Sequence, residues 1–209
     1  MKTLLAFTRF VDVLNTWVGK AVTWLTLIVV LVSAGNAIVR KVFHVSSNAW
    51  LELQWYLFGA IFLLAAGYTF LRNEHVRVDI LSQRLPKRAQ IWIEILGVIF
   101  LLLPVSILIF WLSLPFFYES FASHELSSNS GGLIRWPAKL LVPVGFALLI
   151  LAGVSHLIKC VLYLRGITAD PTDVAPSKTA EEELAEEILS QADPAREAET
   201  ASGLSHRGF

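Results

Sequence analysis

Four separate runs of apolar residues, each about as long as a lipid bilayer is thick, decide most of what this chain can become. A helix needs about 20 mostly apolar residues to cross roughly 30 Å of hydrocarbon. Such runs lie at about residues 21–39, 51–70, 91–111 and 140–157. Backbone groups in lipid must find partners within their own segment, so the runs are expected to be helices. Alternation with a period of two, the mark of a membrane barrel, is absent. All seven tryptophans fall near a run's end, where an indole sits best at the interface: Trp17, Trp24, Trp50, Trp55, Trp92, Trp111 and Trp136. The expected fold is all-α: an integral membrane bundle of four transmembrane helices spanning residues 1–168, followed by an acidic tail over 169–209.

Charge supports that division. Residues 1–168 carry 14 Lys and Arg against 7 Asp and Glu, whereas residues 169–209 carry 3 against 10. The basic residues lie between apolar runs rather than in one patch, so no nucleic-acid partner is implied. The tail is rich in Ala, Ser, Thr and Glu and is broken by Pro171, Pro176 and Pro194. It reads as solvated and mostly disordered, dispensable for insertion and assembly.

Ten basic residues flank the spans on one side: Lys2, Arg9, Lys20, Arg72, Arg77, Arg84, Lys87, Arg88, Lys159 and Arg165. Arg40, Lys41, Arg135 and Lys139 flank them on the other. The positive-inside bias then places both termini in the cytoplasm. Before the first span, Leu4, Phe7, Val11, Leu14 and Val18 form one helical stripe, with Arg9, Asp12, Thr16 and Lys20 opposite. That pattern predicts an amphipathic helix lying in the membrane interface. The alternative, a signal peptide cut near Ser33 to Ala37, fits poorly with a run that starts late and closes on Arg40-Lys41.

Signs of catalysis are missing. The sequence contains no nucleotide-binding glycine loop, metalloprotease helix or nucleophile elbow, and its single cysteine, Cys160, rules out internal disulfides. Spacing alone suggests neither cofactor nor metal. Haem ligation needs facing axial ligands inside the bundle. Of the five histidines only His156 falls within a span, near its end, so an interfacial polar role is expected for it. Carboxylates within spans are functional candidates, and there are two, Glu52 and Glu94. They fall at opposite ends of the bundle and cannot form one proton relay. Each is expected in the first turn of its span, where the helix dipole favours an anion. Pairs of small residues seven apart (Gly59 and Ala66, Ala60 and Gly67, Gly145 and Ala152) mark faces where helices can approach closely.

One set of short runs says more. Asn36-Ala37-Ile38-Val39-Arg40 ends the first span. Glu52-Leu53 opens the second, and Arg72-Asn73-Glu74-His75-Val76-Arg77-Val78-Asp79 closes it. Glu125-Leu126-Ser127, Gly132-Leu133, Trp136-Pro137 and Val142-Pro143-Val144-Gly145-Phe146 follow in order. Over about residues 10–165 the chain resembles the small membrane subunit of tripartite ATP-independent periplasmic (TRAP) transporters, the acidic tail excepted. The resemblance implies a non-catalytic small permease of the bacterial inner membrane. It would scaffold a large multi-span permease that takes up an organic acid, driven by sodium and supplied by a periplasmic substrate-binding protein. Sodium coupling would lie in the large subunit, with no cofactor in this chain. Arg40, Glu52, Arg72, His75, Arg77, Asp79, Glu94 and Glu125 become candidate structural or partner contacts, with Arg72, Arg77 and Asp79 also placed to meet lipid headgroups. Two other readings stay open: a membrane anchor of a respiratory complex, which would need a mid-bilayer histidine pair or quinone site, and a small self-sufficient dimeric transporter, which would need a mid-depth carboxylate.

Overall fold

The computed structural model describes residues 2–44, 47–72 and 86–168. His75, Arg77, Asp79 and the acidic tail lie outside these. Of the described residues 86% are helical, and four helices are long and apolar enough to cross a membrane. The elements are α1 (Lys2–Phe43), α2 (Asn48–Leu71), α3 (Lys87–Gly97), a π-helical turn (Val98–Leu102), α4 (Leu103–Ala122) and α5 (Trp136–Leu164). The segment Lys87–Ala122 acts as one span, so α3, the π turn and α4 together form the third.

The π turn has a local cause. Pro104 has no N–H, and its ring would press on the carbonyl of Phe100 in a regular helix. Widening the turn before it removes that conflict, and Leu103 N–H reaches back to Val98 O.

Helix α5 is the hub, touching α1, α2, α3 and α4. It is also the most enclosed of the spans. Close approach to it depends on missing side chains. A Cβ on Gly145 would stand 2.7 Å from the Leu63 carbonyl oxygen, and one on Gly67 would strike the Asn15 carboxamide. Ala60, Gly67, Gly145 and Ala152 are all buried. Gly59, by contrast, faces open space. On α4 the buried residues are Ser106, Ser113 and Ser120, again seven apart.

The amphipathic stretch at the start of α1 is helical, and it runs into the first span without a break. Its buried positions share only Val11 with the apolar stripe. Thr8, Val11, Asn15, Gly19, Val22 and Val29 are buried, whereas Leu4 and Phe7 are exposed. Lipid tails are as apolar as leucine, so in a membrane bulky apolar side chains gain little by turning inward and small or polar ones make the helix contacts.

Candidate functional site

Polar side chains gather at the two ends of the bundle. At the end where α2 and α5 begin, residues 123–135 fold into a short hairpin. Helix α4 stops there in a left-handed cap: His124 has φ +48°, and Glu125 N–H bonds to Ser120 O at 3.1 Å. Two backbone bonds, Ser127 N–H to Leu133 O and Arg135 N–H to Glu125 O, close the hairpin around a turn at Gly131, whose φ is +71°.

Glu52 holds this hairpin. Its carboxylate accepts from Ser127 Oγ, from Asn129 Nδ2 at 2.8 Å and from Leu133 N–H at 2.7 Å. Gly132 leaves room for it, since a Cβ there would stand 2.8 Å from Glu52 Oε2. Asn48 adds a second tie to the Ser130 carbonyl at 2.9 Å. Beside it, Glu125 pairs with Lys139 and with Arg135. The Lys139 ammonium, with Arg135 nearby, holds the Glu125 carboxyl below the usual carboxylate range. The stabilisation it provides is therefore present at neutral pH and disappears as pH falls through the ordinary carboxylate range to that lowered value. Trp136 stacks edge-on against Phe121 at 5.5 Å, joining the end of α4 to the start of α5.

A different network ties the other end. Asp12 on α1 meets Lys159 Nζ at 2.7 Å and accepts from Ser155 Oγ at 3.1 Å. Glu94 on α3 lies 3.0 Å from His156 Nε2, and Phe70 of α2 stacks edge-on against the same imidazole. An apolar cavity of about 640 Å³ opens beside Glu94 and His156, lined by the π turn and by Phe146.

The structure thus brings Glu52 and Glu125 together at one end and leaves Glu94 at the other. Neither Glu52 nor Glu94 occupies a first helical turn, because α2 starts at Asn48 and α3 at Lys87. The dipole reading of both is replaced by direct hydrogen bonding. His156, near the end of α5, is buried within the bundle. Arg40 lies in the last turn of α1, and Arg72 caps α2 with its guanidinium over the Tyr68 ring at 5.1 Å. Asp12, Ser155 and Lys159 carry no motif. Only their matching depth, one at the start of α1 and two at the end of α5, could have joined them.

A four-span helical bundle with polar fasteners at its ends and small residues at its centre defines a multi-pass membrane protein built by helix packing. Its class is given by comparison. The family model of tripartite ATP-independent periplasmic transporters, DctQ component, matches residues 29–162. The chain belongs to that family and is the small permease component of a TRAP transporter. No curated protein and no solved structure matches it.

Proposed function

We propose that this chain is a non-catalytic scaffold in the inner membrane. It anchors the large permease during sodium-coupled uptake of an organic acid delivered by a periplasmic binding protein. One observation carries the reading. No charged side chain falls between Lys20 and Arg40, Glu52 and Arg72, Glu94 and Glu119, or Lys139 and Lys159. A chain that moved an anion and sodium by itself would need polar groups at mid-depth, in broken helices. Here the mid-depth residues serve packing. Substrate and sodium sites belong to the large subunit, and this chain contributes no cofactor to the cycle. Among the described residues His156 faces a carboxylate rather than a second histidine, which favours this reading over a haem-bearing respiratory anchor. Exposed Trp24, Trp55, Phe62 and Trp111 give the outer faces that meet lipid and the large subunit.

Reconstituted vesicles test the proposal. Uptake is expected only when the large subunit and this chain are both present, with the binding protein supplied outside. Uptake by this chain alone, or full uptake without it, would overturn the scaffold role. Orientation has its own check. The excess of basic residues on the side that carries the chain termini supports a periplasmic hairpin and cytoplasmic termini. Reporter fusions at Ser123 and after Thr168 should therefore report opposite sides, and a shared side would refute the four-span topology.

A further inference from the structure

We propose that Glu94, His156 and Cys160 form a binding site for a zinc-class divalent cation that staples the third span to α5. One donor atom from each lies within 4.8 Å of the other two. In a tetrahedral zinc site, with metal–donor distances of about 2.0–2.3 Å, donors stand roughly 3.3–3.8 Å apart. A contraction of about an ångström therefore brings the three into register. His156 and Cys160 are four residues apart on α5, so the helix presents them one above the other. Glu94 comes across from α3, already 3.0 Å from His156 Nε2.

The chemistry of the set selects the ion. One imidazole nitrogen, one thiolate sulfur and one carboxylate oxygen suit zinc rather than magnesium or calcium, which demand oxygen. Charge agrees. A thiolate and a carboxylate together carry two negative charges, so a divalent cation gives a neutral cluster, the cheapest form to hold within a low-dielectric bundle. Cys160 is fully buried and His156 nearly so. The cavity reaches Glu94 and His156 but is not lined by Cys160, so it supplies the approach and leaves a fourth position for water. Binding releases the thiol proton to solvent as the sulfur takes the metal. The site lies apart from the mid-depth region and adds nothing to transport chemistry; its role is to fix one helix against another.

Cobalt reports on such a site because thiolate ligation gives a near-ultraviolet charge-transfer band. Full-length chain is purified in detergent with a phosphine reductant, stripped with chelator and titrated with Co²⁺, and then Zn²⁺ is added in competition. The expected result is one equivalent bound per chain, with a thiolate band that zinc abolishes. Cys160→Ser should lose the band, and His156→Gln and Glu94→Gln should each weaken binding by more than about tenfold, a loss that even outer-shell changes can cause. Cys160→Ala keeps the surrounding apolar packing and serves if the serine variant misfolds, with helical circular dichroism as the check. No stoichiometric binding by the folded wild-type chain would overturn the proposal. So would an unchanged band in the Cys160 variants, which would put the metal on other groups.

Discussion

Replacing Glu52 by Ala is expected to unfasten residues 125–135 from the bundle and to reduce the amount of complex formed with the large subunit. Three donors on the hairpin converge on this one carboxylate. The hairpin itself is short, with a single antiparallel bridge between Leu126 and Ile134, and two short strands are barely stable without outside support. Its second tie, Asn48 to Ser130, is exposed. Amide exchange across 125–135 should then accelerate by at least about tenfold, since local opening sets the rate there. Glu52→Gln keeps one acceptor oxygen and should fall between. Uptake should decline in step with assembled complex, whereas sodium dependence and apparent substrate affinity of what remains stay as in the wild type. Changed sodium coupling at normal complex levels would place Glu52 on the ion path and defeat the scaffold reading. Unchanged exchange would remove the fastening role.

Acid should loosen the same hairpin through a different residue. Glu125 contributes above the ordinary carboxylate range, so lowering pH removes its pairing with Lys139 and Arg135 while the backbone bonds persist. The two carboxylates act side by side.

The four spans were legible because hydropathy and bilayer thickness are blunt constraints that tolerate few exceptions, whereas the helices run past the apolar runs at both ends, the third as far as Ala122. Glu52 could be singled out because a carboxylate near lipid is costly without a partner, and Glu125 only through the run Glu125-Leu126-Ser127 that carries the family resemblance. Their partners could not. Nothing in the spacing of Glu52, Ser127, Asn129 and Leu133 reveals that a hairpin folds back over the start of α2. The pairing of Glu94 with His156 was hidden for another reason. Taken singly, a carboxylate near a span's start and a histidine near a span's end both look interfacial. Only the packing of α3 on α5 shows that they face inward at one level. The stripe on α1 shows a more general limit: apolar periodicity finds the buried face in water but tends to find the lipid face in a membrane, and here Leu4 and Phe7 are exposed while Val11 is buried.

The small-residue pairs show the same limit and give the prediction with the clearest contrast. Gly59 with Ala66 and Ala60 with Gly67 lie on adjacent faces of α2, and sequence cannot say which of them meets α5. The structure buries Ala60 and Gly67, and Gly67 abuts both Asn15 of α1 and the Leu148 carbonyl of α5. On α5, Gly145 sits so close to α2 that a Cβ would stand 2.7 Å from Leu63 O and 2.8 Å from Leu63 Cβ. The backbone oxygen cannot rotate away, so a larger residue must push the helices apart. Gly145→Leu is therefore expected to lower the melting temperature of the isolated chain. Overpacking of this kind costs about 1–3 kcal/mol or more, against a gain in helix propensity of no more than about 1 kcal/mol over glycine. At Gly59 the balance reverses, because nothing lies within 4 Å and only the propensity gain remains. Gly59→Leu should leave the isolated chain as stable as the wild type or slightly more so. Thermal unfolding in detergent, followed by size-exclusion chromatography, measures both. Equal destabilisation by the two variants would mean that α2 turns a different face to α5. Loss of copurification with the large subunit in Gly59→Leu alone, at normal stability, would instead locate the partner's contact on the face that the bundle leaves open.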